Sequence, residues 1–175
     1  MKHLVIFILT IILISCKSEV KQNANQNTEE KLDTISQVVS VKYDGLEKYL
    51  NKTDDKTYVI NFWATWCKPC VEELPAFEKL YATYKNNNVE VILVSLDFPN
   101  QINNRVIPFI NKNNIKSEVI LMADPDQNTW IPKVDENWSG AIPATLIYNK
   151  NTRKFYEQSF TFETLEKELL TIIKN

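Results

Sequence analysis

The apolar residues of this chain fall into runs of two kinds, which alternate along the sequence. Residues 57–63 and 89–96 are almost continuously apolar, β-branched or aromatic, as expected of strands that are buried on both faces. Between these runs, apolar side chains recur at steps of three and four residues: Leu74, Phe77, Leu80, Tyr81 and Tyr84. This spacing predicts a long amphipathic helix between two central strands.

Shorter patterns complete the order of elements. Strands are also predicted at residues 38–42, 119–122, 144–148 and 154–158, the last two as a hairpin. Helices are also predicted at residues 44–50, 102–113 and 162–173, the second with an irregularity at Pro108. Residues 123–139 predict an inserted helix or loop, whose Trp130 and Trp138 either pack inside the domain or line a hydrophobic partner groove. The alternation predicts an α/β fold: a mixed, mostly parallel central sheet with helices on both faces.

The first residues predict an export signal. Lys2 precedes an apolar stretch over residues 4–14, which is shorter than the roughly 20 residues of a transmembrane helix. The stretch leads to Leu13-Ile14-Ser15-Cys16, which resembles a bacterial lipobox, where cleavage leaves a lipid-modified cysteine at the new N-terminus. We therefore expect residues 1–16 to be a lipoprotein signal segment with Cys16 lipidated. An uncleaved anchor with a spare thiol is the alternative.

The rest of the chain divides into a linker and one domain. Residues 17–36 are polar and rich in Asn and Gln, so they have little to bury and predict a flexible linker. Residues 37–175 have enough apolar content for one core and predict a single domain. The formal net charge of −2 argues against a nucleic-acid partner.

Two cysteines stand between the first central strand and the amphipathic helix, in the run Trp66-Cys67-Lys68-Pro69-Cys70. Residues three apart in the first turn of a helix lie on one face, so the two thiols can close a disulfide or open to a dithiol. Proline is favoured just inside a helix start, which fits Pro69. The helix dipole then favours the thiolate of Cys67. The pair therefore predicts thiol–disulfide redox chemistry.

Other uses of a Cys-x-x-Cys pair need residues that this chain lacks. Zinc needs about four ligands, and the only other cysteine and the only histidine are Cys16 and His3, both in the signal segment. Haem attachment needs a histidine directly after the second cysteine, where the chain has Val71. We therefore expect no metal and no cofactor. A plain structural disulfide stays open as an alternative.

Two motifs carry a resemblance to a known family. The first runs through Val59-Ile60-Asn61-Phe62-Trp63-Ala64-Thr65-Trp66-Cys67-Lys68-Pro69-Cys70 and continues in Glu72-Glu73-Leu74-Pro75. It resembles the active-site signature of the thioredoxin superfamily and, more narrowly, that of the TlpA/ResA-like thiol–disulfide oxidoreductases of bacterial envelopes. The second motif is Gly140-Ala141-Ile142-Pro143-Ala144-Thr145. It is similar to the cis-proline segment of the same family.

The resemblance implies a thioredoxin-like fold and assigns roles to four residues. Cys67 attacks the substrate, and Cys70 resolves the mixed disulfide that results. The peptide bond between Ile142 and Pro143 is cis, faces the cysteines and offers backbone groups to an extended substrate segment.

Further positions refine the implied mechanism. Thioredoxin carries a buried aspartate where this chain has Asn61. In ResA-like proteins a glutamate one helical turn after the second cysteine plays a comparable part, and Glu73 stands there. The alternative for Glu73 is a solvated helix charge, as we expect for Glu72. Of the two tryptophans near the cysteines, we expect Trp66 to be exposed towards the substrate and Trp63 to be buried.

The resemblance and the signal segment together imply an enzyme of the bacterial cell envelope, lipid-anchored and facing the periplasm. Its expected function is to reduce disulfides of exported client proteins, with apocytochrome c among the candidates. Its expected electron donor is an integral-membrane protein of the CcdA or DsbD type. The pair Lys68-Pro69 between the cysteines favours reduction over oxidation or isomerisation. The alternatives are a disulfide oxidase or isomerase and, from another class, a non-enzymatic thioredoxin-like binding lipoprotein.

Overall fold

The structure is a computed structural model, and it describes residues 38–174. The predicted signal segment with Cys16, and the predicted linker over residues 17–36, lie outside the described residues. The strands are β1 (Val39–Val41), β2 (Thr57–Trp63), β3 (Val89–Ser95), β4 (Glu118–Met122), β5 (Ala144–Tyr148) and β6 (Arg153–Tyr156). The α-helices are α1 (Tyr43–Leu50), α2 (Lys68–Tyr84), α3 (Ile107–Lys112), α4 (Gln127–Val134) and α5 (Phe162–Ile173).

The observed elements follow the predicted order, and α4 is the inserted helix expected before the last hairpin. The helix predicted over residues 102–113 is broken into pieces. A 3₁₀ turn at Pro99–Gln101 and a π-helical stretch at Ile102–Val106 precede α3. The backbone N–H of Ile107 bonds to the carbonyl of Ile102, five residues back. The next residue is Pro108, which has no N–H to continue the helical pattern.

The strands form one sheet in the order β1-β4-β3-β2-β5-β6. The first four are parallel neighbours, whereas β5 pairs antiparallel with both β2 and β6. In the register of the two central strands, Trp63 of β2 lies opposite Ser95 of β3. The carboxyl ends of β2 and β3 therefore meet at one edge of the sheet. Helix α2 begins just beyond this edge, at Lys68.

Hydrophobic cores cover both faces of the sheet. Helices α2, α3 and α5 pack on one face through buried residues that include Phe77, Ile110 and Leu169. Helices α1 and α4 pack on the other face through residues that include Leu46 and Trp130. This arrangement confirms the predicted mixed sheet with helices on both sides. Within residues 38–174, the structure contains no helix that is long and apolar enough to span a membrane.

Candidate active site

The two cysteines lie at the junction between β2 and α2. Cys67 is the N-cap residue of α2, and its sulfur accepts a hydrogen bond of 3.3 Å from the backbone N–H of Cys70. Pro69 occupies the first turn, where a missing N–H leaves no helical bond unmade. The two sulfurs form a disulfide with an S–S distance of 1.99 Å. The predicted redox pair is therefore held at the positive end of a 17-residue helix.

The two sulfurs differ in access and surroundings. Cys67 retains 6% of its surface in contact with solvent, whereas Cys70 retains none. The Sγ atom of Cys67 lies 3.8 Å from the carbonyl oxygen of Ile142. A partner that reaches this disulfide from solvent therefore meets Cys67 first. This difference supports the roles of nucleophile for Cys67 and resolving residue for Cys70.

The loop that faces the cysteines has the conformation that the resemblance implies. The peptide bond between Ile142 and Pro143 is cis. Gly140 adopts a φ of 92°, a left-handed conformation that other residues resist. The indole N–H of Trp138 donates a hydrogen bond of 2.8 Å to the carbonyl of Ala141. These features fix the backbone that brings the Ile142 carbonyl to the sulfur of Cys67.

Glu73 is buried on the inner side of α2, one turn after Cys70. Its carboxylate accepts hydrogen bonds of 2.8 Å from the side-chain amide of Asn61 and 2.8 Å from the backbone N–H of Phe160. Only 3% of the residue is exposed. Burial raises the pKa of Glu73 to about 7, although the two hydrogen bonds oppose the shift. The alternative of a solvated helix charge is therefore wrong for Glu73.

Asn61 is part of the same buried group, which sequence reasoning missed. Its amide N–H₂ also lies 3.4 Å from the carbonyl of Ala144 and 3.2 Å from the hydroxyl of Thr145. Its own oxygen, Oδ1, is buried and has no hydrogen-bond partner among the described residues. The sequence indicated only that an aspartate was missing at this position. The structure shows that the residue in its place holds Glu73.

The two tryptophans near the cysteines take the predicted positions. Trp63 is completely buried, and its ring lies 5.2 Å from that of Phe109. Trp66 is 54% exposed, directly before Cys67. Exposure is what the predicted contact with substrate requires of Trp66.

A second buried carboxylate, Asp97, lies beside the site and was also missed. It accepts hydrogen bonds from the backbone N–H of Thr65 at 2.9 Å, from the Thr65 hydroxyl at 2.5 Å and from the Ser95 hydroxyl at 2.9 Å. Asp97 is 1% exposed, and Phe98 after it is 65% exposed. The only sequence signal is an acidic residue just past the end of a buried strand.

The remaining predicted features are accounted for by packing. Trp130 and Trp138 are 2% and 5% exposed, and their rings contact each other at 5.6 Å. They therefore pack inside the domain and do not line an open partner groove.

Among residues 38–174, no group of three or more His, Cys, Asp or Glu side chains is arranged to hold a metal ion.

A disulfide-bonded cysteine pair at the start of a helix, after a central strand and opposite a cis-proline loop, defines a thioredoxin-like redox site. The AhpC/TSA family matches residues 30–153, and the chain belongs to this family. The chain is similar to the thiol-disulfide oxidoreductase ResA of Geobacillus kaustophilus, with 28% identity over 141 residues that cover 79% of this chain and 76% of the relative. It is 44% identical to ResA of Oceanobacillus iheyensis over 59 residues, which are 34% of this chain and only 31% of that relative.

A solved structure supports the same assignment of the fold. A thiol:disulfide interchange protein of the thioredoxin family from Chlorobium tepidum superimposes with a TM-score of 0.56. The sequence identity is 21%, and the match covers 67% of this chain and 80% of the other. This match confirms the thioredoxin-like fold. The family match and the ResA relatives confirm the resemblance to the ResA group and the class of thiol–disulfide oxidoreductase.

Proposed function

We propose that the protein is a membrane-anchored reductase, which transfers two electrons from the Cys67/Cys70 dithiol to disulfides of exported client proteins. The observation that carries this proposal is the asymmetry of the pair. Cys67 is the more exposed residue of the pair, at a helix N-terminus and next to the Ile142 carbonyl, whereas Cys70 is fully buried. An accessible, dipole-stabilised thiolate is the form that attacks a disulfide.

The reaction runs in two exchanges. The thiolate of Cys67 attacks one sulfur of the client disulfide, forms a mixed disulfide, and the other client sulfur leaves as a thiolate. Cys70 then loses its proton and attacks the sulfur of Cys67. The enzyme disulfide forms, and the second client sulfur leaves. The client gains two electrons and, after protonation of its thiolates, two thiols, while the dithiol of the enzyme is oxidised.

Glu73 is the proposed proton acceptor for the second exchange. It stands one helical turn from Cys70 on the buried side of α2. Burial raises the pKa of its carboxyl group to about 7, so the group titrates much nearer to neutral pH than an ordinary glutamate does. A group with this pKa takes up and releases a proton readily near pH 7.

The location and the partners are proposed from the sequence. Cys16 ends an apolar signal segment, so lipidation there anchors the domain to a bacterial membrane, facing the periplasm. Several acyl chains on one cysteine give stable anchoring. Exported proteins with disulfides are the proposed clients, with apocytochrome c as one candidate. An integral-membrane donor of the CcdA or DsbD type would restore the dithiol.

The direction of electron flow is tested by the reduction potential of the Cys67–Cys70 pair. The purified domain is equilibrated with glutathione buffers, and the fraction of disulfide is measured. A reductase has a low potential, such as the roughly −270 mV of thioredoxin. A value near about −120 mV, typical of a strong oxidant, contradicts the reductase and favours the disulfide oxidase.

Catalysis itself is tested by insulin reduction with the wild type and with Cys67→Ser and Cys70→Ser. We expect turnover in the wild type and none in either variant. Activity that is absent in the wild type, or equal in all three proteins, favours the non-enzymatic binding lipoprotein.

The lipid anchor is tested separately, because Cys16→Ala should block lipid-dependent processing. A variant that is cleaved normally and stays on membranes through washing contradicts the lipoprotein.

A further inference from the structure

Large apolar side chains are rarely exposed in the described part of the chain. Within residues 38–174, four large apolar side chains are exposed: Val39, Trp66, Phe98 and Ile173. Scattered single exposures are ordinary in soluble proteins and need no explanation. Trp66 and Phe98 are not scattered, because each directly follows one partner of the contact between Thr65 and Asp97.

The contact between Thr65 and Asp97 joins the two loops that leave the central strands. Asp97 binds both the backbone N–H and the hydroxyl of Thr65, and it is 1% exposed. The backbone N–H of Leu96 adds a bond of 2.8 Å to the carbonyl of Trp63. Because hydrogen bonds to a charged, buried acceptor are strong, the two loops are held as one unit. Exposed aromatic side chains on fixed backbones are well suited to binding, since little backbone freedom is lost.

The position of the two rings limits what can cover them. β2 and β3 are adjacent parallel strands, so Phe98 follows the end of β3 at the same edge of the sheet where Cys67 follows the end of β2. A client must bring its disulfide to Cys67 for the exchange to occur. The polypeptide on either side of that disulfide therefore passes over the edge that carries Trp66 and Phe98.

The charged residues at the start of α2 favour neither an acidic nor a basic client segment. The exposed residues Lys68 and Glu72 pair with each other at 3.7 Å on the first turns of α2. The pair leaves no net charge on the helix start to attract an acidic or a basic segment. The exposed large apolar side chains next to the ends of β2 and β3 are Trp66 and Phe98, and aromatic rings bind apolar side chains.

We infer that Trp66 and Phe98 form an aromatic docking surface for an apolar residue next to the reactive cysteine of the client. Asp97 is a positioning residue of this surface, because it fixes the loop of Phe98 to the loop of Trp66. The inference rests on the proposed function and deepens it, since it names the class of client sequence that the site prefers.

The test compares two synthetic peptides, each with one intramolecular disulfide, that differ only in a leucine or a serine next to one cysteine. Oxidised glutathione is the third substrate, because it has no segment long enough to cover the docking surface. The readout is the kcat/KM of each peptide divided by that of oxidised glutathione. We expect the wild type to prefer the leucine peptide about tenfold, as apolar pockets do for small differences in apolar size.

Phe98→Ser should remove most of this preference. Asp97→Asn keeps one acceptor for Thr65 but loses the charge, so it should reduce the preference by a smaller factor, mainly through a higher KM. Ile173→Ser is the matched control. It removes another exposed apolar side chain, which lies near Thr57 at the opposite end of β2, and it should change nothing.

Three outcomes would overturn the docking surface. They are a wild type without preference between the peptides, a Phe98→Ser variant that keeps the full preference, and a wild-type dimer in sedimentation that Phe98→Ser dissociates. The last outcome would assign the rings to a second copy of the chain. Failure of the reduced wild type to act on all three substrates would instead overturn the proposed function.

Discussion

The two faces of the central sheet bury different kinds of side chain. Side chains alternate between faces along each strand, so the buried polar residues of the central strands can be assigned to one face or the other. These buried polar residues all lie on the face that α2 and α5 cover. The residues are Thr57 and Asn61 of β2, Ser95 of β3 and Thr145 of β5. On the opposite face, under α1 and α4, every buried position of these strands is aromatic or aliphatic.

This difference separates chemistry from stability within one small domain. A buried carboxyl such as Glu73 destabilises a fold when it is charged, because its desolvation is only partly offset by two hydrogen bonds. The aromatic face adds apolar burial without such a penalty. We infer that the face under α1 and α4 supports a fold whose other face is adapted to proton and electron transfer.

The largest expected effect is that of Cys67→Ser, which should abolish catalysis and leave the stability of the fold almost unchanged. Cys67→Ser should reduce insulin turnover to the uncatalysed background, because a hydroxyl does not replace the thiolate in disulfide exchange. Serine is a good N-cap residue and keeps an acceptor for the N–H of Cys70, so the unfolding free energy should stay within about 1 kcal/mol of that of the reduced wild type. Insulin reduction and urea unfolding under reducing conditions measure the two effects. Retained turnover would contradict the assignment of the nucleophile.

The reverse pattern is expected on the opposite face. Phe62 is fully buried, and its ring lies 4.7 Å from that of Trp138. Phe62→Ala should lower the unfolding free energy by about 3–5 kcal/mol, the usual range for a deleted core aromatic. Urea unfolding measures the loss. The pH profile of thiol exchange should not move, and a shifted profile would show that the two faces are not separable.

The third prediction concerns the pH dependence of stability. The pKa of Glu73 is about 7 in the folded disulfide form and near 4.5 in an unfolded chain. The folded protein therefore holds the proton more tightly, so Glu73 makes the fold less stable as pH rises from 4.5 to 7. The total change is about 3 kcal/mol, and it levels off above this range. Urea unfolding of the oxidised wild type across this range measures it.

Glu73→Gln should remove this dependence. Asn61 and Phe160 donate to different oxygens of Glu73, and in glutamine one of these oxygens is replaced by an NH₂ group that cannot accept. The loss of this acceptor changes the absolute stability of the variant by itself, so the readout is the slope of stability with pH. Glu72→Gln is the control, because the side chain of Glu72 is 64% exposed and its substitution should leave the slope unchanged. Equal slopes in all three proteins would show that Glu73 does not titrate in this range. The same pair of variants tests whether Glu73 alone influences resolution by Cys70.

The sequence predicted those features that depend on neighbouring residues. β2 and α5 were predicted with the observed bounds, because continuous apolar runs and three-to-four spacing are strong local signals. Trp63 and Trp66 were assigned correctly to the core and to the surface. The break before α3 was predicted only as an irregularity at Pro108. The spacing of apolar residues does not show that the backbone hydrogen bonds before α3 follow a π-helical pattern.

The contacts of the site that were missed join residues far apart in the sequence. Glu73 is held by Asn61, 12 residues before it, and by the N–H of Phe160, 87 residues after it. Asp97 reaches Thr65 across 32 residues because β2 and β3 are parallel neighbours with their ends aligned. Local propensity contains no information on such pairs. The strand register decides them, and the sequence alone did not determine it.

The smallest expected effect tests Trp138, which connects the core under α1 and α4 to the loop opposite Cys67. Trp138 belongs to the aromatic core, yet its indole N–H bonds to Ala141, next to the Ile142 carbonyl that faces Cys67. Trp138→Phe keeps an aromatic ring and removes the bond. The loss of one hydrogen bond is worth about 1 kcal/mol, which corresponds to a roughly fivefold higher KM for a client peptide. Steady-state reduction of a peptide disulfide measures the KM.

Trp130→Phe is the matched control for this variant. Trp130 is buried in the same core, but its indole N–H bonds to the carbonyl of Asp124, away from the cis-proline loop. Both substitutions shrink a ring in the core, so both should lower the unfolding free energy by a similar amount, about 2 kcal/mol. Only Trp138→Phe should raise the KM. If the KM rises equally in both variants, the effect comes from a general loosening of the aromatic core. A rise in Trp138→Phe alone would show that this core also positions the loop opposite Cys67, so that the core under α1 and α4 contributes to the geometry of the redox site.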